Sequence, residues 1–434
     1  MKQMTVSIAT LGCKVNHQES EKLASDFRAL GYKVAAPGDP ADICIINSCT
    51  VTSVSDAKTR QRISQARSKN PDSLVCVIGC LPEVARETVS KMEEVDLVIG
   101  SIQKDQTAAL AAAALHNKTS PVRPVIAAPV ACSQSRTRAF LKAEDGCDQY
   151  CAYCIIPRAR GPVRSKPPGE ITKEADALLA AGYREIVMTG INLARYGADF
   201  SRQNTLSLYD VLLRLTGLDA GYEYRIRLGS LEPTVIGATQ ACKIAALPGI
   251  CPHFHLSLQS GSDRTLERMG RHYNTGEYRE ILFALRKIDP HFAITTDVIV
   301  GFPGETNEDF TESLHYVEHA GFAKVHVFPY SARSGTRAAG MPGQIPEPVK
   351  KARAAAMLET ANKASAAFLS DCAGDVRRTL SFGPDKQGRI RGLTDNGIDV
   401  RIPAGFAFAG SAGAPPENAF FDLPLTPEIA RALG

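Results

Sequence analysis

Short, almost wholly apolar segments, each followed by a helical pattern, restrict the fold of this chain more than any other feature. Residues 43–47 and 74–79 contain no charged side chain, as expected of parallel strands buried on both faces of a sheet. Leu23, Phe27 and Leu30 recur at the spacing of one helical face, which predicts a helix from about Gln18. Because parallel strands need crossover connections, residues 1–130 are predicted to form a doubly wound parallel-sheet α/β domain.

The same alternation resumes further along the chain and predicts a second α/β domain over residues 131–365. Six apolar segments separated by helical patterns suit an open, partial TIM-like (β/α)6 barrel better than a closed eight-stranded one. Residues 366–434 change to short strands with Gly, Pro and Asn-Gly turns, which indicates a small all-β barrel. The predicted strands of the second domain are 139–143, 185–189, 224–229, 254–258, 293–300 and 324–328.

Composition leaves the partners open but narrows the chemistry. The 434 residues carry a formal charge of +4, which permits an RNA partner without requiring one. We expect a cytoplasmic protein with no membrane association, because the sequence has neither a membrane-length apolar stretch nor a signal-peptide pattern. Twelve cysteines in such a compartment favour metal or redox chemistry over disulfides.

Cys147, Cys151 and Cys154 follow the first predicted strand of the second domain with the spacing Cys-x3-Cys-x2-Cys. Three thiolates are too few for a structural zinc site, which takes four ligands. They suit a cubane iron–sulfur cluster that leaves one iron open to a small molecule. The alternative is three incidental core cysteines, but a loop that contains Gly and Asp is a poor place for buried core thiols.

The segment at residues 146–157, with Tyr153 just before the third cysteine, resembles the cluster loop of radical S-adenosylmethionine (SAM) enzymes. The resemblance implies a [4Fe–4S] cluster on Cys147, Cys151 and Cys154, with SAM bound at its open iron. One-electron reduction would then cleave SAM to methionine and a 5′-deoxyadenosyl radical. The resemblance also implies an electron donor such as flavodoxin or ferredoxin.

A second set of cysteines, Cys13, Cys49 and Cys80, is dispersed in sequence, yet each member comes just after a predicted strand. Because ligands gather beyond the carboxyl ends of parallel strands, we expect these three side chains to converge. Taken alone, they are equally well explained as unrelated loop cysteines. Their flanking residues resemble the N-terminal domain of methylthiotransferases, radical SAM enzymes with a second [4Fe–4S] cluster on such a set. The matching segments are 10–16, 47–52 and 79–80.

Polar residues at the ends of the other barrel strands complete the candidate site. The family resemblance implies that a Gly-Glu pair at a helix start, several polar strand ends and the segment around Gly301 bind SAM. For any one of these residues, a cap or turn role is the alternative. The residues to which the resemblance assigns SAM contacts are Tyr153, Glu170, Thr189, Gly190, Asn192, Ser230, Glu232, Gln259, Asp297 and Gly301.

Lys14, Val15 and Asn16, which follow the first cysteine, resemble the branch of the family that acts on N6-threonylcarbamoyladenosine in tRNA. This implies methylthiolation of carbon 2 of that base at position 37, in the anticodon loop, with two SAM molecules and two clusters. Basic residues after Cys49 and after the last barrel strand are candidates for phosphate contacts. They are Lys58, Arg60, Arg62, Arg67, Arg333 and Arg337.

The C-terminal module corresponds in the family to the TRAM domain, a small β-barrel that binds tRNA. Residues 370–434 hold six Arg and one Lys against eight Asp or Glu, so we do not expect strong tRNA binding by this module alone. Three other functions stay open at this point. The same chemistry could act on isopentenyladenosine-37 of tRNA or on an aspartate of a ribosomal protein, and a non-catalytic iron–sulfur carrier belongs to a different class.

Overall fold

The computed structural model describes residues 3–117, 137–201, 206–403 and 415–426. Its contacts divide the chain into two compact units, each assembled from separate stretches. The N-terminal unit comprises residues 1–133, 145–163 and 331–339, and the barrel unit comprises residues 134–144, 164–330 and 340–434. The predicted domain boundary between residues 130 and 131 lies outside the described residues.

The N-terminal unit contains five strands, six helices and a 3-10 segment at Ser101–Gln106 within the described residues. In chain order its strands and helices are β1 Thr5–Thr10, α1 Lys14–Ala29, β2 Lys33–Ala35, β3 Ile43–Ser48, α2 Ser53–Lys69, β4 Leu74–Gly79, α3 Leu81–Val84, α4 Arg86–Ser90, β5 Leu97–Val98, α5 Thr107–Asn117 and α6 Ile156–Arg160.

All five strands are parallel and lie in the order β2-β1-β3-β4-β5. β3 and β4 are buried along their whole length, which explains their uninterrupted apolar sequence. The chain passes from β1 to β2 at one edge and then returns to β3 on the other side of β1, so the winding reverses between β1 and β3. Doubly wound sheets bind ligands at such a reversal, outside the carboxyl ends of the strands.

The barrel unit contains a (β/α) series followed by an antiparallel sheet, with a 3-10 turn at Leu193–Arg195 and another at Arg337–Gly340, where the two units adjoin in sequence. In chain order the elements are β6 Arg138–Lys142, β7 Glu144–Asp145, β8 Arg164–Ser165, α7 Pro168–Ala180, β9 Glu185–Thr189, α8 Leu208–Thr216, β10 Arg225–Leu228, β11 Ser230–Leu231, α9 Pro233–Ala245, β12 His253–Leu256, α10 Asp263–Met269, α11 Thr275–Arg286, β13 Ala293–Val300, α12 Asn307–His319, β14 Lys324–Pro329, α13 Glu347–Asp371, β15 Val376–Pro384, β16 Ile390–Thr394, β17 Asp399–Ile402 and β18 Phe420–Pro424.

The barrel strands form two parallel sheets, β10-β9-β6 and β11-β12-β13-β14. An isolated parallel bridge between Ile226 and Ile250 connects the two series. Ile294 and Val298 of β13 join the apolar core, whereas Thr295 and Asp297 alternate with them and carry polar groups on the opposite face. No ladder joins β6 to β14 in the part of the chain that the structure describes, so the prediction of an open barrel is confirmed.

The four last strands form an antiparallel sheet, the C-terminal sheet, in the order β17-β16-β15-β18. Two arginines of β10 connect it to the barrel. Arg225 donates to the carbonyls of Arg378 and Leu393, and Arg227 donates to those of Thr394 and Asp395, at 2.8–3.0 Å.

The charges of these two arginines are balanced by Glu185 of β9, which is fully buried. Its carboxylate accepts hydrogen bonds from Arg225 at 2.7 Å and from Arg227 at 3.0 Å. Glu185, Arg225 and Arg227 thus form a buried ion triad. Each arginine of the triad also donates hydrogen bonds to main-chain carbonyls of the C-terminal sheet. Such a triad is stable only while every member is present.

The predicted class of α/β fold with a small all-β C-terminal module is confirmed, with differences at several element ends. α1 begins at Lys14 with Cys13 as its N-cap, whereas apolar periodicity alone indicated a start near Gln18. Strands β2 and β18 were not predicted, because each is short and packs on one edge of a sheet. Within the described residues, no helix combines the length and the apolar character needed to cross a membrane.

Candidate functional site

Two glycines allow the loops that carry the N-terminal cysteines to approach one another. Gly12 has φ +105, and a Cβ there would lie 2.7 Å from the Cβ and 3.0 Å from the Sγ of Cys49. Gly79, which precedes Cys80, has φ +97, and a Cβ there would lie 2.3 Å from the carbonyl oxygen of Ser48. Both backbones therefore need glycine for conformation and for space. The three cysteines follow β1, β3 and β4, at the carboxyl edge where the winding reverses.

Asn16 is the buried frame of this region. Its amide nitrogen donates to the carbonyls of Leu11 at 2.7 Å and Ser48 at 3.0 Å. Leu11 directly follows β1, and Ser48 is the last residue of β3. Its amide oxygen lies 3.8 Å from the Sγ of Cys13. Asn47 donates to the carbonyl of Asn16 at 2.9 Å. One side chain thus fixes the positions of the segments that carry Cys13 and Cys49.

The thiols of Cys49 and Cys80 are buried and close to Cys13. Burial raises the pKa of Cys49, and the nearby thiolates of Cys80 and Cys13 would raise it further by repulsion. Burial likewise raises the pKa of Cys80, against the opposing charge of Arg160. A bound metal deprotonates such thiols outright, because its own charge outweighs the cost of burial. Cys49 thus lies within electrostatic range of Cys13 and Cys80, as a thiolate-bound iron–sulfur cluster would require, and a shared cluster on the three cysteines stays a prediction.

The cysteine loop, residues 145–163, closes on itself around a third glycine. Gly146 has φ +81, and a Cβ there would lie 2.0 Å from the carbonyl oxygen of Pro162. The N–H of Cys147 donates to the carbonyl of Gly161 at 3.1 Å, and that of Cys154 donates to Cys151 at 3.0 Å. Cys147 and Cys154 are half-buried, whereas Cys151 is buried. Three thiols on one compact loop fit a cluster with an open iron.

Two tyrosines of the cysteine loop differ in their exposure to solvent. Tyr150 has φ +48, unusual for a residue with a side chain, and its ring is 66% exposed. Tyr153, the predicted SAM contact, is half-buried. The N–H of Ala338 donates to the carbonyl of Ala152 at 2.8 Å, so residues 331–339 brace the loop within the N-terminal unit.

The basic residues proposed for phosphate contacts fall into two groups. Arg333 donates to Thr50 at 2.6 Å and to Asp56 at 2.5 Å, and Arg67 donates to Asp96 at 2.5 Å. The cations of these two arginines are therefore already neutralised inside the N-terminal unit. The other four of these six proposed residues have exposed side chains. They are Lys58, Arg60, Arg62 and Arg337.

In the barrel unit, the end of β9 forms a polar corner with Glu144. Thr189 ends the strand and is buried, and a Cβ at Gly190 would lie 2.7 Å from the Oε2 of Glu144. The N–H of Asn192 donates to the same oxygen at 2.9 Å. The side chain of Asn192 is buried, and its Oδ1 has no hydrogen-bond partner in the protein. An orphaned buried acceptor is what a ligand with N–H or O–H donors would satisfy.

The ends of β12 and β13 form a second polar corner of the barrel unit. Gln259 has φ +68, and its N–H donates to the carbonyl of Asp297 at 2.8 Å. The carboxylate of Asp297 lies 3.2 Å from the Nε2 of His255. Gly301 has φ +72 and donates its N–H to Glu305 at 2.7 Å, and Arg353 pairs with that carboxylate at 2.6 Å.

The remaining predicted SAM contacts have different surroundings. Glu170 lies exposed in the first turn of α7, where its charge suits the helix N-terminus. Ser230 is half-buried in β11. Glu232 is the N-cap of α9 and accepts from the N–H of Val235 at 3.2 Å, while Arg271 pairs with it at 3.0 Å. The structure thus gives Glu232 a cap role, and its assignment to SAM stays a prediction.

Sequence reasoning did not find Glu144, Glu305 or Arg160, although each lies in the midst of the predicted residues. Glu144 could have been noticed as an acidic residue at a strand end, three positions before Cys147. Glu305 is part of the glycine segment that begins at Gly301. Arg160 gave no signal, because its partners Glu19 and Asn16 are more than a hundred residues away in sequence.

Comparison with known proteins agrees with this arrangement. The model of the uncharacterized protein family UPF0004 matches residues 5–100, and that of the radical SAM superfamily matches residues 144–317. The threonylcarbamoyladenosine tRNA methylthiotransferase of Thermotoga maritima is 38% identical over 90% of this chain and 89% of that protein. The tRNA-2-methylthio-N(6)-dimethylallyladenosine synthase of Thermoanaerobacter pseudethanolicus is 33% identical over 89% of this chain and 84% of that protein.

Among solved structures, the radical SAM methyltransferase of Kitasatospora setae, with cobalamin and a [4Fe-4S] cluster bound, aligns over 100% of this chain and 91% of its own. Its TM-score is 0.53 at 12% identity, a likeness of fold alone. Fold and superfamily match together define a radical SAM enzyme, a class that works with SAM and an iron–sulfur cluster. The chain belongs to the radical SAM tRNA methylthiotransferase family. A non-catalytic iron–sulfur carrier is therefore set aside.

Proposed function

We propose that this enzyme adds a methylthio group to carbon 2 of N6-threonylcarbamoyladenosine at position 37 of tRNA, with two [4Fe–4S] clusters and two SAM molecules. One cluster is held by Cys13, Cys49 and Cys80. The other is held by Cys147, Cys151 and Cys154. The observation that carries the proposal is the close approach of the segments of Cys13 and Cys49 at the β1/β3 reversal, which Gly12 permits and Asn16 holds, with Cys80 at the end of the neighbouring strand.

The choice of substrate is supported by the relatives. The Thermotoga maritima protein, 38% identical over most of both chains, is named for threonylcarbamoyladenosine. The Thermoanaerobacter pseudethanolicus protein, named for dimethylallyladenosine, is 33% identical. The residues Lys14, Val15 and Asn16 after the first cysteine support the same branch.

Bound clusters would supply the one-electron cleavage of SAM and the methylthio sulfur. The chain's own part is to position them. Gly12 and Gly79 admit the close approach of the cysteine loops, and Asn16 fixes their carbonyls. The N–H of Cys147 and the carbonyl of Gly161 hold the other loop closed, so that its thiols need little rearrangement on binding metal.

For SAM, the residues of the barrel unit offer acceptors and open backbone. The orphaned Oδ1 of Asn192 suits a donor such as the SAM amino group, and Thr189 and Gly190 lie beside it at the end of β9. Tyr153 and the other predicted contacts are proposed as further SAM ligands. They are Glu170, Ser230, Glu232, Gln259, Asp297 and Gly301.

The tRNA and the reductant complete the proposal. The exposed cations Lys58, Arg60, Arg62 and Arg337 are proposed to contact phosphates of the anticodon arm. A target base in an anticodon loop is readily unstacked, which gives an enzyme access to carbon 2. A small flavin or iron–sulfur protein, such as flavodoxin or ferredoxin, is proposed as the electron donor.

The test is mass spectrometry of tRNA nucleosides from cells that lack this protein. We expect the 2-methylthio derivative of threonylcarbamoyladenosine to disappear and the unthiolated nucleoside to accumulate. An unchanged level of that derivative rejects the proposal. Loss of the 2-methylthio isopentenyl derivative instead assigns the enzyme to the sister substrate.

Complementation then tests the cysteines. Cys49→Ala and Cys151→Ala each remove one proposed ligand from a different set, and neither is expected to restore the modification. Cys242→Ala is the matched control, because Cys242 is a half-buried cysteine of α9 that is not a proposed ligand. Restoration by Cys49→Ala to the level of the Cys242→Ala control would contradict the assignment of the N-terminal set.

A further inference from the structure

Arg160 is the last residue of α6, six positions after Cys154, and its side chain is only 2% exposed. Its guanidinium donates to Asn16 at 2.6 Å, to Asp145 at 2.9 Å and to Glu19 at 3.1 Å. A buried arginine needs such compensation, because an unpaired cation in the interior is strongly destabilising. None of these residues belongs to the predicted ligands or SAM contacts.

The same guanidinium reaches the N-terminal cysteines. Its positive charge lies within electrostatic range of Cys80, and α3, which begins just after Cys80, packs against α6. Its acceptor on Asn16 is the oxygen that lies 3.8 Å from the Sγ of Cys13. The other end of the Asn16 amide holds the carbonyl of Ser48, the residue before Cys49. One buried cation thus holds Asn16, which fixes the segments of Cys13 and Cys49, and acts electrostatically on Cys80.

Arg160 is also tied to the cysteine loop that carries it. The next residue, Gly161, accepts the N–H of Cys147 at 3.1 Å. Asp145, which accepts from Arg160, also accepts the N–H of Gly146 at 2.8 Å. The side chain therefore connects the two cysteine sets inside a single compact unit.

We propose that Arg160 is a positioning residue that raises the reduction potential of the cluster on Cys13, Cys49 and Cys80, because its buried guanidinium holds Asn16 beside Cys13 and places a positive charge next to the set. This rests on the proposed function, which supplies that cluster. The potential of an iron–sulfur cluster depends on nearby charge, on hydrogen bonds to its sulfurs and on solvent exposure. A buried cation next to a cluster favours the state with one more electron, because the attraction is little screened there.

Neighbouring charges limit the size of the effect without cancelling it. Glu19 also pairs with Lys104, so its negative charge is shared between two cations. Asp145 is the second carboxylate on Arg160. Among these groups, Arg160 is the one that donates to Asn16, whose amide holds the segments of Cys13 and Cys49. We expect its neutral replacement to shift the equilibrium constant of the one-electron reduction at least tenfold, or 59 mV.

The experiment uses the full chain with Cys147, Cys151 and Cys154 replaced by alanine, so that one cluster remains. Reconstituted protein is titrated with dithionite and redox mediators, and the reduced cluster is followed by electron paramagnetic resonance. Arg160→Gln is expected to lower the potential by the tenfold equivalent, and Arg160→Lys, which keeps the charge, to lower it less. Arg158→Gln is the matched control, because Arg158 is an exposed arginine of the same helix.

Each outcome decides the proposal. Arg160→Gln with full iron content and a reduction equilibrium within threefold of the Arg158→Gln control overturns it. If Arg160→Gln holds no iron, the Arg160→Lys variant decides. A retained cluster whose reduction equilibrium lies within threefold of the control supports a role of the positive charge. Loss of iron from a folded Arg160→Lys chain shows a packing role and overturns the proposal. A parent chain without any iron refutes both the N-terminal cluster and this inference, before any Arg160 variant is measured.

Discussion

Replacement of Gly12 by alanine tests most directly how the N-terminal cysteines are brought together. The added Cβ would lie 2.7 Å from the Cβ of Cys49, whereas carbon atoms pack at about 3.5–4.0 Å. Cys49 would have to move by roughly 1 Å, more than the tolerance of about 0.5 Å within which a functional site must be held. We therefore expect Gly12→Ala to prevent binding of the N-terminal cluster.

The energetic part of this prediction has two components. Gly12 has φ +105, and a side chain in a left-handed conformation costs about 1–2 kcal/mol. Overpacking against Cys49 adds about 1–3 kcal/mol. Gly31 provides the matched control, because it has φ +85 but nothing within 4 Å of its added Cβ. Gly31→Ala thus carries the backbone strain alone, and the difference between the two variants belongs to the contact with Cys49.

The assay is iron and sulfide content after anaerobic reconstitution, with production of 5′-deoxyadenosine from SAM as a second readout. Gly12→Ala is expected to keep about four irons per chain, those of one cluster, and to cleave SAM still, because the Cys147 set is untouched. Gly31→Ala is expected to keep the iron content of the parent. The reasoning is refuted if Gly12→Ala binds as much iron as Gly31→Ala and gives the same spectrum.

Three further predictions concern the barrel unit. Glu185→Gln leaves Arg225 and Arg227 buried without their carboxylate, so it is expected to lower the free energy of unfolding by about 3–5 kcal/mol. The melting temperature, measured by circular dichroism at neutral pH, should fall accordingly. An unchanged melting temperature contradicts the buried triad. Burial alone would raise the pKa of Glu185, but Arg227 and Arg225 hold it well below its usual range, so the stability it gives is complete above the unfolded pKa and is lost as pH falls below it. The melting temperature of the parent should therefore fall more steeply from pH 6 to pH 3 than that of Glu185→Gln, and equal slopes would dismiss this group as the cause. Asn192→Ala keeps the backbone hydrogen bond to Glu144 but removes the orphaned Oδ1. The affinity for SAM, measured by calorimetry, should therefore weaken about threefold to tenfold at unchanged iron content. Undiminished affinity would remove Asn192 from the SAM contacts.

The strands that build the site could be predicted from the sequence, because burial on both faces leaves a pattern that survives without tertiary information. The segments at 74–79 and 185–189 coincide with observed strands, since each has an apolar centre and ends in a glycine or a threonine. The expected convergence of Cys13, Cys49 and Cys80 followed from the same logic. A parallel sheet places successive strand ends at one edge, whatever the length of the intervening helices.

Residues whose role depends on distant partners could not be predicted. Arg333 looked like a phosphate contact in sequence, but Thr50 and Asp56 take up its cation in the fold. Arg160 was not singled out, because Glu19 and Asn16 meet it only in the folded chain. The early start of α1 escaped the apolar pattern because its first turn buries Asn16, a polar residue held by hydrogen bonds that only the folded sheet supplies. The SAM contacts and the domain boundaries stay predictions.

The joint between β10 and the C-terminal sheet has a consequence for how this enzyme diversifies. Arg225 and Arg227 end on peptide oxygens of the sheet, which every amino acid possesses, so these hydrogen bonds do not depend on which side chains the sheet displays. Outward side chains of the sheet can therefore vary in charge without loss of these bonds, and residues 370–434 of this chain carry a net charge of −1. An engineer could recode those outward positions, even to a basic surface, while the sheet stays anchored to the barrel.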